Sequence, residues 1–177
     1  MTFPAVQSVQ CLEQSFAYKA WANAEILSVL AQCNPDRAPE KYTQAIRLMN
    51  HTWVVDQIFY AHLQDRAHAF TADNTVDTPS IDALTQSIHR SDQQLLDLVK
   101  AITSEELTHT LCFRFTDGDD GCMSKEQILT HLLLHGAYHR GNVGMLIADL
   151  GHSRPKDTFT RFLHRALRTQ TPTNIRE

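Results

Sequence analysis

Four stretches of this chain carry apolar side chains at alternating steps of three and four residues, the spacing that lines one face of an α-helix. The first stripe reads Leu12, Phe16, Ala20, Asn23, Leu27 and Leu30, and Asn34-Pro35 stops it. The second runs from about Pro39 to Arg66, with Leu48, His51, Val55, Ile58 and His62 on its stripe. The third opens at Thr78-Pro79-Ser80, a capping residue beside a proline suited to a first turn, and continues through Ile81, Leu84, Ile88, Leu95, Val99 and Ile102. The fourth opens at Ser124 with Gln127 three residues on, a capping box, and carries Ile128, Leu132, His135, His139, Val143 and Leu146 before Gly151 ends it. Only six glycines and six prolines interrupt 177 residues, which favours long helices over a turn-rich sandwich. The expected fold class is all-α, as one domain over residues 1–177.

Between the third and fourth stripes, Leu111 to Phe115 alternates apolar and polar residues and is followed by Asp117-Gly118, so a short hairpin is expected before the last helix. The loop Asp117-Gly118-Asp119 has a calcium-loop look, but it lacks the ligand steps and the twelfth-position glutamate of an EF-hand. Cys11, Cys33, Cys112 and Cys122 form no CxxC pair and are expected to be reduced, although Cys112 and Cys122 flank the hairpin turn. No apolar run is long enough to span a membrane, and the first residues lack the basic and apolar regions of a signal peptide, so a cytoplasmic location is expected. From Gly151 to Glu177 there are six Arg or Lys and two Asp or Glu, a net +4 in a chain of net −4. In this basic extension Arg161, Arg165 and Arg168 share one face of a short helix, with Phe159, Phe162 and Ala166 on another, packed on the other helices. Three arginines are too few to mark a nucleic-acid interface.

Ten histidines stand in the chain. His62, His68, His89, His109, His152 and His164 have no partner at ligand spacing and are expected at the surface or at caps. His131, His135 and His139 follow one another at four-residue steps, so each adjacent pair points the same way and can chelate one ion. Spacing alone does not choose between His131/His135 and His135/His139; the inward stripe of Leu132, Val143 and Leu146 favours the second pair. With His51 on the inward stripe of another helix, three imidazoles are available to one divalent cation. His135 and His139 also match half of the HExxH metallopeptidase motif, but Gly136 stands where its catalytic glutamate belongs. The site has ligands without an evident general base. Asn23 interrupts an apolar stripe and is expected to be buried and hydrogen-bonded.

The segment His131-x3-His135-x3-His139-Arg140-Gly141-Asn142 resembles the HxxxHxxxHRGQ signature of the DinB/YfiT-like family, damage-inducible metalloenzymes. Trp21-Ala22-Asn23, Asn50-His51 and the ending Gly151 to Asp157 around Pro155 agree with it, and Asn142 departs from it where glutamine is usual. The resemblance implies a four-helix bundle with one long crossover, often a homodimer. It implies three histidine ligands, carried here to His51, His135 and His139, with nickel or zinc as the metal. It implies a small-molecule substrate. Some relatives transfer low-molecular-weight thiols or use one as cofactor, and others are hydrolases. A neutral three-histidine site without a carboxylate base favours thiol chemistry, with a metal-dependent hydrolase or a non-catalytic metal-binding stress protein as alternatives. Tyr138 and Arg140 flank His139 and either orient an acidic substrate or serve packing and an ion pair.

Overall fold

The structure, a computed structural model, describes residues 5–170, with side chains from residue 9 through 165. It is mostly helical. In chain order come α1 (Ala5–Leu30), α2 (Pro39–Leu63), α3 (Ile81–Ala101), α4 (Ser104–Leu107), β1 (Thr110–Arg114), β2 (Asp120–Ser124), α5 (Lys125–Asp149) and α6 (Phe159–Gln170). Local chemistry sets most of these bounds. Asn34 caps a single 3-10 turn at Pro35–Arg37 and so parts α1 from α2. Ser80 caps α3, which puts Pro79 ahead of the helix rather than in its first turn. Ser124 and Gln127 close the expected capping box on α5, and Gly151, at φ 88°, ends it. α2 stops at Leu63, three residues before Arg66, because Asp65 turns left-handed at φ 52°. No described helix is long and apolar enough to cross a membrane.

The four long helices lie against one another, α1 on α3 and α5, α2 on α5 and α3. Their inward stripes meet in two apolar clusters. One gathers Leu30, Ile46, Met49, Leu84, Ile88 and Ile147; the other gathers Phe16, Phe59, Leu95, Val99, Leu129 and Leu132. Between the two, at mid-height on every long helix, lies a buried polar layer of Lys19, Asn23, Asp56, Asp92 and Arg140. The first stripe is therefore corrected at one place: Lys19 rather than Ala20 turns inward. A cation there is tolerated because two carboxylates meet it, Asp56 at 2.6 Å and Asp92 at 2.9 Å.

The hairpin forms as expected, β1 antiparallel to β2 with Cys112 opposite Cys122. The expectation of reduced cysteines fails for this pair. With their Cα atoms 4.2 Å apart on adjacent strands, the two sulphurs are bonded; Cys11 and Cys33 are free. The inner face of the hairpin carries Leu111, Phe113 and Met123 onto the second apolar cluster. The α6 helix packs by Phe159 and Phe162 against Tyr18 and by Phe162 against Trp21. Arg165 pairs with Glu25 at 3.0 Å. The side chains of Ala166 and Arg168 lie outside the described residues, as do residues 171–177.

Candidate metal centre

His51 from α2 and His135 and His139 from α5 come together. One ring nitrogen from each lies within 4.8 Å of the others. The ring centroids are 4.9 Å apart for His51 and His135, 4.8 Å for His51 and His139, and 4.5 Å for His135 and His139. Nε2 of His51 stands 3.0 Å from Nε2 of His135. His51 Nδ1 donates to the Asp73 carbonyl at 2.7 Å, with the Asp73 carboxylate at 3.6 Å. That bond fixes the tautomer and leaves the Nε2 lone pair aimed at His135.

The segment that supplies this carbonyl is anchored from α2. Asn50, buried beside His51, donates from its amide to Thr75 Oγ1 at 2.7 Å and to Asn74. Asn74 donates back to the Arg47 carbonyl at 3.1 Å. Sequence reading singled out Asn50 only as a neighbour of His51, and Asp73 not at all, because a carbonyl partner leaves no residue-type signal.

The charge state suits cation binding. Burial, then the neighbouring His139, His51 and His131 rings and Lys19, push His135 down to about 3. Burial and His51 lower His139, and burial lowers His131. His135 therefore keeps a free lone pair at neutral pH. The Nδ1 atoms of His135 and His139 are buried without a partner, an arrangement costly for polar atoms unless something else engages these rings. Two imidazole nitrogens on one ion, each about 2.1 Å from it, stand about 3.0–3.5 Å apart, so the His51–His135 spacing fits a shared cation. The donor set is three imidazoles, a ligand type suited to zinc or nickel.

His131 stacks on His135 with centroids 5.3 Å apart but lies outside the cluster. The two residues named as substrate-orienting candidates take different places. Arg140 turns away from the histidines, 2% exposed, and binds Asp157 at 2.7 Å and Asn23 Oδ1 at 3.2 Å. Tyr138 does not pack into the core; it is 69% exposed, its ring 5.1 Å from that of His139. Asn23 is buried as expected and donates to both Asp92 oxygens at 3.0 and 2.9 Å.

Gly136 now has a physical reason. A Cβ there would stand 3.2 Å from Arg140 Nη1 and 3.5 Å from Lys19 Cε. The space that a metallopeptidase gives to its glutamate is occupied here from within by two cations. His62 and His68 correct the expectation of surface histidines. Their rings are 5.1 Å apart, His62 stacks on Phe113 at 4.8 Å, and His62 Nε2 and His68 Nδ1 are buried without partners. His89, His109 and His164 are exposed as expected. Beside His51 a cleft of about 700 Å³ opens between the first half of α2 and the Asp73–Asn74 segment, large enough for a small molecule.

A helical protein presenting three half-buried, converging histidines from two helices has a cluster that could hold a metal ion. The sequence profile of the DinB family matches residues 6–174, and the chain belongs to that family. No curated protein and no solved structure gives a match.

Proposed function

We propose that the protein is a metal-dependent enzyme in which His51, His135 and His139 hold one zinc or nickel ion, and that it transfers a low-molecular-weight thiol to a small electrophile. The observation that carries the reading is the convergence of three imidazole nitrogens within 4.8 Å with no carboxylate among them. We read the four long helices as the bundle of the family, with residues 64–80 as its crossover and the cytoplasm as its place of action.

A divalent cation held by three neutral ligands would supply Lewis acidity that lowers the pKa of a thiol. The chain's own residues do the rest. The Asp73 carbonyl holds His51 in the ligand tautomer. Burial keeps His135 deprotonated. The cleft beside His51 admits the substrate, with Leu48 as apolar wall and Arg47 fixed by the Thr75 and Val76 carbonyls at its side. No carboxylate stands among the three ring nitrogens, and Asp73 lies 3.6 Å from the Nδ1 side of His51 rather than beside the Nε2 that faces His135, which favours thiol transfer over water attack.

Metal analysis of untagged protein should find one zinc or nickel per chain and less than a tenth of that in His135→Ala. A conjugation screen pairing glutathione, cysteine and other cellular thiols with several electrophiles should then find turnover that the His135→Ala variant and chelator-treated protein both lack. Metal bound without conjugation of any thiol would sink the transferase reading and leave hydrolysis or simple binding. Turnover that survives metal removal would make the ion structural.

A further inference from the structure

Two histidines outside the cluster of three repeat its ring geometry. His62, in the last turn of α2, and His68, in the segment that leads on to α3, have ring centroids 5.1 Å apart at an interplanar angle of 79°. Within the cluster of His51, His135 and His139, the three ring pairs stand 4.5–4.9 Å apart at 66–76°. Each ring of the second pair also buries one nitrogen without a partner, Nε2 on His62 and Nδ1 on His68. A polar atom sealed from water is normally matched by a hydrogen bond or a ligand bond, and two such atoms on adjacent rings call for one partner that both can share.

The surroundings narrow what that partner is. The His62 ring stacks on Phe113 at 4.8 Å and lies edge-on to Phe59 at 6.0 Å, and Phe70 is 6.3 Å from His68. Among the described residues, no carboxylate, thiol or further imidazole joins the pair as a third ligand. Burial, then His68, lowers the pKa of His62, so its lone pair is free at neutral pH. The pair therefore offers two uncharged donors against an aromatic wall, and imidazole is a ligand that copper accepts. The cost of taking an ion out of water rises with the square of its charge, so a divalent ion would face about four times the desolvation of a monovalent one for the same two ligands. We propose that His62 Nε2 and His68 Nδ1 bind one soft monovalent cation of the copper(I) type, at a second site distinct from the cluster of three. The site goes beyond the thiol-transfer reading and does not need it. An ion there would clip the end of α2 to the start of the segment that carries Asp73, whose carbonyl holds His51.

Anaerobic titration of the full chain with copper(I), against a chromogenic copper(I) chelator as competitor, reads the site. A Cys11→Ser background removes the exposed free thiol, and excess zinc fills the cluster of three. This protein should take up one copper(I) ion per chain, and His62→Phe and His68→Gln should each weaken that uptake by about a hundredfold. His62→Phe keeps a ring against Phe113 and His68→Gln changes a half-buried loop side chain, so both should keep the helical circular-dichroism signal and the zinc content of the parent. If the cluster of three holds no zinc and takes copper(I) instead, parent and variants gain that ion alike, and the difference of one ion between them still reads this site. X-ray absorption at the copper edge should show nitrogen neighbours and no sulphur. Equal copper(I) uptake in the parent and both variants would overturn the proposal, as would sulphur in the coordination shell. Zinc that displaces copper(I) from the pair would overturn its assignment to a monovalent ion.

Discussion

At Gly136 any side chain would have to share space with two buried cations. Alanine already presses on the Arg140 guanidinium at 3.2 Å, and that group is held by Asn23 and Asp157. Gly136→Glu, which completes the HExxH pattern in sequence, is therefore expected to overpack the polar layer and cost about 3 kcal/mol or more rather than yield a peptidase. Chemical denaturation reads this, and wild-type stability in that variant would show that the layer yields. Lys19 is the more exacting case. It is 1% exposed, and although burial opposes its charge, Asp56 and Asp92 raise its pKa above the ordinary lysine value. Lys19→Met strands two carboxylates and is expected to cost about 3–5 kcal/mol. Burial pushes Asp56 up to about 6 against the pull of Lys19, with Asp92 adding to the rise. The folded protein thus binds a proton at Asp56 more tightly than the unfolded chain, whose carboxyl keeps a value near 3.8. The stability this contributes is complete below pH 3.8 and is lost as pH rises through about 6, a span of about 3 kcal/mol. The unfolding free energy of wild type minus that of Asp56→Asn should fall by this amount across the window. A difference that stays flat with pH would show that Asp56 keeps its ordinary acidity.

Among the elements, the hairpin is where the covalent chemistry lies. Cys112 and Cys122 both face outward, exposed, while Phe113 between them and the second strand packs inward on Phe59 at 5.5 Å. Closing a loop of sequence separation 10 removes unfolded-state freedom worth about 2–3 kcal/mol. Cys112→Ser with Cys122→Ser should lose about that much stability with the helical circular-dichroism signal unchanged, and an equal loss on adding reductant to wild type checks that the bridge is its source. The helices themselves were legible in the sequence because each long one carries a stripe, and three carry a boundary signal: Asn34 with Pro35 follows α1, Ser80 opens α3, Ser124 with Gln127 opens α5 and Gly151 ends it. What sequence did not reveal is the content of the polar layer. Lys19, Asp56 and Asp92 look like solvent-facing charges on their own helices. They become core residues only because three helices bring both carboxylates within 3 Å of the Lys19 ammonium, and no local pattern encodes that meeting. The His51, His135 and His139 cluster was legible for the opposite reason: two of its members share one helix at a chelating step, and the third sits on an inward stripe. The disulfide was misjudged because composition argues for the compartment, whereas strand register decides which two cysteines touch.

Over the whole molecule, the two halves of the proposed ligand set come from helices far apart in sequence, His51 on α2 and His135 with His139 on α5. A cation bound there ties together two walls of the core at the level where polar side chains replace apolar packing. It binds the folded chain and finds no such convergence in the unfolded one, so its binding free energy adds to folding. At a free concentration one hundred times the dissociation constant, the stabilisation is about 2.7 kcal/mol. For a chain of this length about 1 kcal/mol raises the melting temperature by about 2–4 °C, so zinc or nickel should raise it by about 5–11 °C. His51→Ala, His135→Ala and His139→Ala should each abolish most of that rise. His131→Ala should keep it, since His131 stacks on His135 without joining the cluster. Differential scanning calorimetry with and without a chelator measures all five proteins alike. A metal-induced rise that persists in His51→Ala would mean that the helix α5 pair binds the ion by itself and that α2 is not part of the centre.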